Sequence, residues 1–396
     1  MRKTGFPLIV LSVFLLSIPT GGYSAEEPTG TDHDAIAQKL VTQSANIQEG
    51  DLVLVLGGVE DFELLESIAV QVRKLGAFPL VAPSSDRMAR RMYDDVAAKY
   101  DSQAPEFALK LTSLVDAVIS VDFGEPGLLA HVPPERLATR SKAFQPVATL
   151  SLARNVRQVN LGNALYPTAA LSKQFGISQE EMTRIFWDGV NVDYSKLQAK
   201  GEALKAHLAN GKEVYITNPN GTDLKVGIEG RPVFVSDGVI SDEDMKKGGA
   251  ACQVWLPAGD VFLAAVPGTA EGKVVVDRQF FQGEEIEGLT LTFKAGKLTS
   301  MTAKSGLEPL KKFYDAAGPG KDLFAFVNIG FNPAVRIVPG SRMVAWMPAG
   351  MITVGIGGNL WAGGENEVAY GMSNHLPGST VSVDGKVLVE NGTLKF

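Results

Sequence analysis

Residues 51–82 carry the pattern that most narrows the fold. Asp51-Leu52-Val53-Leu54-Val55-Leu56 is a short apolar run that ends at Gly57-Gly58, and a helical spacing of apolar residues follows from Phe62 to Leu75. Gly76 stops that helix, and Pro79-Leu80-Val81-Ala82 makes the next strand. Strand, turn, helix and strand in this order form a βαβ unit, which implies a parallel sheet with a right-handed crossover. Ala117-Val118-Ile119-Ser120-Val121 reads as a further buried strand, and residues 32–48 as a helix with Ile36, Leu40 and Val41 on one face. The turn Gly57-Gly58 lacks the third glycine of a dinucleotide fingerprint and reads as structural. Asp122-Phe123-Gly124 matches a kinase tripeptide without the rest of that signature.

Farther along, Ser178 is placed to cap a helix, with Glu181 three positions on to close a capping box. A second helix runs from Tyr194 to Asn210 and stops at Gly211. From Lys212 the chain changes to short strands and tight turns, such as Glu213–Thr217, Asn218-Pro219-Asn220-Gly221 and Leu224–Ile228. One or two further helices at most are expected, one of them over Leu307–Tyr314. The change from βα alternation to β-rich pattern places a domain boundary near residue 210, giving an α/β domain over 30–210 and a β-rich domain over 211–396.

The first two dozen residues read as a secretory signal peptide. Arg2 and Lys3 precede an apolar stretch from Pro7 to Pro19, and Gly22-Tyr23-Ser24 offers small residues before a cut after Ser24 or, second, Ala25. Removing them leaves about 370 residues, enough for two cores. The mature chain is expected to be exported, periplasmic or extracellular, with no later apolar run long enough to span a membrane. The net charge of −7 and the lack of a basic cluster argue against nucleic acid as a partner. Cys252 is the single cysteine, which excludes intrachain disulfides and reads as a small buried hydrophobe.

Local chemistry gives few leads. Of the four histidines, His33, His131 and His207 read as solvated or structural, and His375 alone falls in the β-rich half. There is no HExxH, CxxC, GxSxG or Walker pattern. Carboxylates such as Glu271, Asp277, Glu284, Glu285, Glu287, Glu365, Glu367 and Asp384 mostly sit in turns beside glycine. In Trp255-Leu256-Pro257-Ala258-Gly259-Asp260-Val261-Phe262, a polar turn sets Asp260 ahead of an apolar run. That places a carboxylate either at the rim of a buried sheet, as a metal ligand or base needs, or in an ordinary hairpin turn.

Taken together, residues 34–396 resemble the thermophilic metalloaminopeptidase family of the aminopeptidase T and aminopeptidase S type. The likeness runs in order through Phe175-Gly176-Ile177-Ser178, Val192-Asp193-Tyr194, Gly221-Thr222-Asp223-Leu224, Leu256–Phe262 and Gly268-Thr269-Ala270-Glu271-Gly272. It continues through Gly283, Gly288–Lys297, Gly330-Phe331-Asn332-Pro333, Gly355-Ile356-Gly357-Gly358-Asn359, Gly363-Gly364-Glu365-Asn366 and Val383-Asp384-Gly385-Lys386. The resemblance implies an N-terminal parallel-sheet α/β domain, then a β-rich α+β domain that carries the active-site cleft and pairs two copies as a homodimer. It also implies release of N-terminal residues from peptides by two divalent metals, Zn or Co, held by two Glu, two His and one Asp with a Tyr nearby.

Carried over position by position, that ligand set is largely replaced. The resemblance puts Asp260 at the first Glu, Asn328 at the second, Thr353 at the first His, Leu360 at the Tyr, and Gly371 and Ser373 at the final His-x-Asp pair. One carboxylate among these positions cannot neutralise the four positive charges of two metals in a buried pocket. The leading expectation is therefore an exported homologue that binds a peptide or small-molecule ligand, or serves in assembly, without catalysis. A rebuilt site from Asp260, Glu365, Glu367 and His375 around one metal is the alternative, and an intact aminopeptidase is the third reading.

Overall fold

The computed structural model describes residues 32–396 other than Phe123. The expected signal peptide, its cleavage point, and the middle residue of Asp122-Phe123-Gly124 lie outside them. An N-terminal α/β domain with a parallel sheet is followed by a β-rich domain of antiparallel sheets.

The parallel sheet has the order 78–84, 52–58, 117–121, 157–161 and 253–256. Its first strands arise where the sequence places them, because Val53, Val55, Ile119 and Val121 alternate inward and are sealed by Leu64, Leu65, Ile68 and Val72 of the helix Phe62–Lys74. The first helix differs from expectation. It is α-helical over His33–Lys39, continues as a π turn over Leu40–Ser44, and ends there rather than near 48. At Ser178 half of the capping box forms: the hydroxyl accepts from the Glu181 amide, while the Glu181 carboxylate instead meets Arg336 at 3.0 Å. The helix Tyr194–Ala209 follows, buried along Leu197, Gly201, Leu204 and Leu208.

The fifth strand of the parallel sheet, Gln253–Leu256, comes from well beyond residue 210. It passes through Pro257-Ala258-Gly259 straight into Asp260–Ala264, a central strand of an antiparallel sheet. The twelve-residue stretch 253–264 thus gives one strand to each sheet and ties the two together. The antiparallel sheet has the order 371–376, 352–357, 324–330, 260–264 and 234–236. An eight-stranded antiparallel sheet completes the β-rich domain and is built largely from the long hairpin Glu271–Phe281 and Glu284–Lys294. Among the described residues no helix is long and apolar enough to cross a membrane.

Candidate functional site

The turn that delivers Asp260 is fixed from behind. Gly259 has φ +122°, and a Cβ there would lie 2.8 Å from the Asn332 backbone nitrogen, so only glycine fits. The buried Asn332 side chain donates to the carbonyls of Ala258 and Gly189, and the Phe331 amide donates to the Gly259 carbonyl. The Gly330-Phe331-Asn332-Pro333 stretch therefore serves as the clamp that sets Asp260 at the head of its strand. Asp260 is buried and paired in register with Gly330 and Ser236. It is a strand residue in the protein interior, not the solvated turn residue of the hairpin alternative.

Strand register then decides which side chains share its face. Phe262, Asn328, Thr353 and His375 stand directly opposite one another across four strands, and residues two apart on a strand return to the same face. Asp260, Ser373 and Gly371 therefore belong to that face as well. Asn328 donates to Asp260 Oδ2 at 2.6 Å. One strand over, Thr353 Oγ1 and His375 Nδ1 lie 2.9 Å apart. Asp260 Oδ1 and Asn328 Oδ1 are buried without a hydrogen-bond partner. Burial pushes the Asp260 carboxyl up to about 7, with the Asn328 hydrogen bond acting against the rise. Burial alone holds His375 down to about 4, so its ring is neutral at ordinary pH.

The other candidates are scattered. Glu365 is 78% exposed and meets Arg231 at 3.4 Å, and Glu367 is exposed. Among the described residues no group of three or more His, Cys, Asp or Glu side chains is placed to hold a metal ion. His131 pairs with Asp94 on the surface and His207 lies beside Lys386. Cys252 is buried.

The donor set does not suit a pair of divalent metals. Across the face stand one carboxylate, one amide, one hydroxyl and one neutral imidazole whose Nδ1 is engaged, while Gly371 has no donor and Ser373 a neutral one. Such metals take charged oxygen or free imidazole ligands in larger number. What the face does border is a chamber of about 340 Å³ lined by Trp255, Trp346, Trp361, Phe326, Asn163, Asp260 and Ser373 among others. Gly355 makes room for it, since a Cβ there would lie 2.1 Å from the Phe326 ring. The turn at Asn359, whose amide donates to the Ala325 carbonyl, directs Trp361 rather than Leu360 into the chamber wall. A second cavity, also about 340 Å³, shares Asn163, Trp346 and Ser373 with the first and reaches His375. Nothing in the sequence joins the three tryptophans, because they are far apart in it and a lone aromatic reads as core.

Residues 31–318 match the model of a family described as thermophilic metalloprotease (M29). The chain is 25% identical over 304 residues to Aminopeptidase PepS of Streptococcus thermophilus, covering 69% of this chain and 71% of that one. It is 26% identical over 302 residues to Aminopeptidase 2 of Geobacillus stearothermophilus, covering 71% and 72%. Its fold is similar to wild-type AmpT from Thermus thermophilus, with a TM-score of 0.70 at 19% identity over 92% of this chain and 99% of that one. It is also similar to a 2,5-dihydroxypyridine dioxygenase from Pseudomonas putida KT2440, with a TM-score of 0.59 at 13% identity over 92% and 96%. One fold thus carries names of unrelated chemistries. The family match ends ahead of Asn328, Thr353, Gly371 and Ser373, so Asp260 is the one ligand position inside it.

Proposed function

Because this chain belongs to the thermophilic metalloprotease family (M29), we propose that its cleft binds a peptide or small molecule without hydrolysing it. The observation that carries this reading is the mutual pairing of Asp260 with Asn328 and of Thr353 with His375. Groups at three of the family's ligand positions each engage a neighbour on their own sheet instead of converging on a shared centre. A lone Asp260 acting as general base would contribute about 10²–10⁴ in rate. Enzymes supply about 10⁶-fold or more, so the remaining factor has no visible source on this face.

The direct test is turnover. Purified protein supplied in turn with Zn, Co or Mn should release no chromogenic amine from aminoacyl substrates above a protein-free control. Metal-dependent release, abolished by chelator and by Asp260→Ala, would overturn the reading. Export after cleavage near Ser24 and pairing of two copies through the β-rich domain complete the proposal. The apolar stretch Pro7–Pro19 supports the first, and the resemblance to dimeric family members supports the second. Intact mass of the secreted chain and its light-scattering mass test them; a full-length cytoplasmic chain or a monomer would remove the corresponding part.

A further inference from the structure

The chamber beside Asp260 has a composition that selects a kind of ligand. Three of the four tryptophans in the chain wall it. The Trp255 and Trp346 ring planes stand at 82° and 84° to that of Trp361, with centroids 5.6 and 6.4 Å from it. Two walls thus meet a third nearly at right angles, and Phe326 stacks on Trp346 at 15° and 5.6 Å. These aromatics, with Phe262 and Phe234, form a cluster distinct from the main hydrophobic core, with Trp346 packing against both. All three indoles remain half-buried rather than sealed, as expected of rings that face a cavity.

A buried carboxyl completes the picture. Asp260 is 5% exposed, lines the chamber, and has one carboxylate oxygen with no partner. An uncompensated carboxylate in an aromatic enclosure is costly, and its natural complement is one positive charge. Indole faces attract the same charge through their quadrupole. A primary ammonium would bring three donors into a wall dominated by aromatic rings, where beside the free Asp260 oxygen only the neutral side chains of Asn163 and Ser373 offer acceptors. An ammonium carrying alkyl groups needs few hydrogen bonds and presents a greasy surface to the indoles.

We propose that the chamber binds a small organic cation of the alkylated ammonium class, its charge held among Trp255, Trp346 and Trp361 and opposite the free oxygen of Asp260. The inference rests on the reading of the cleft as a binding site and names the chemistry it accepts. The adjoining cavity gives room for a neutral substituent beyond Trp346.

The test titrates the full mature chain with choline and with its neutral carbon isostere, in which a tert-butyl group replaces the trimethylammonium. Tryptophan fluorescence and calorimetry provide the readouts. Choline should bind at least about tenfold more tightly than the isostere, and the near-isosteric Asp260→Asn should remove most of that preference while leaving the far-ultraviolet spectrum intact. Trp361→Phe, which keeps an aromatic wall, should weaken choline less than Trp361→Leu. Equal binding of choline and isostere, binding of neither, or an Asp260→Asn variant with undiminished preference would overturn the inference. Aminoacyl turnover on the same preparation, with the choline preference intact, would instead sink the non-catalytic reading and leave the cation site standing.

Discussion

Asn328→Glu should lower the stability of the fold by about 3–5 kcal/mol at pH 8, because it sets a second buried carboxylate against the first. The Asn328 amide reaches Asp260 at 2.6 Å and neither residue has water access to speak of. The substitution restores the residue type that the family resemblance implies at this position, yet without the cations that would justify it. The sign with pH is determined by the introduced carboxyl, whose folded-state pKa would lie above its unfolded value. Its cost is therefore absent below about pH 4 and grows as pH rises. Urea unfolding at low and high pH measures it. Zn or Co should restore little of the lost stability, since Thr353, Gly371 and Ser373 still offer no charged ligand. An Asn328→Glu variant as stable as the parent at pH 8 without metal would show that the face holds charge more readily than argued.

Opposite pH slopes should appear when Asp260 and His375 are replaced one at a time. Burial raises the Asp260 carboxyl from 3.8 to about 7. Between those values the folded chain keeps a proton that the unfolded chain has released. That contribution is full below the unfolded pKa and is lost as pH rises through 7. His375 runs the other way, because burial lowers its imidazole from 6.5 to about 4. The folded ring stays neutral where the unfolded one is charged, so its contribution is full above 6.5 and is lost as pH falls through 4. Each slope is about 1.4 kcal/mol per pH unit, and over the shared window they cancel. In His375→Gln, stability relative to the parent should therefore fall as pH rises from about 4 to 6.5. In Asp260→Asn, it should rise over the same interval. Unfolding curves for both variants that stay parallel to the parent would show that neither group is buried in the form described.

Much of the fold could be read from local pattern. The strand Ala117–Val121 and the helix from Tyr194 lie where periodicity puts them, because each is an uninterrupted run with a clear stop. The parallel sheet's fifth strand was not legible. Gln253–Leu256 is four residues long, and its partner in the sheet lies almost a hundred residues earlier; no local signal reports such pairing. Asp260 was ambiguous for the same reason, since its neighbours on the face arrive from strands at 328, 353 and 375. Substituted positions could be identified from ordered resemblance, but the way their side chains satisfy one another depends on register. The aromatic chamber has no local signal because Trp255, Trp346 and Trp361 come from a strand, a loop and a short 3-10 turn far apart in the chain.

Metal content decides the central claim most directly. Protein purified without chelator, loaded with excess Zn or Co, and dialysed should retain substoichiometric metal by elemental analysis, with an unchanged cooperative melt. One or two equivalents retained per chain, lost on Asp260→Ala, would contradict the account that this face has exchanged metal ligation for hydrogen bonding among its own side chains.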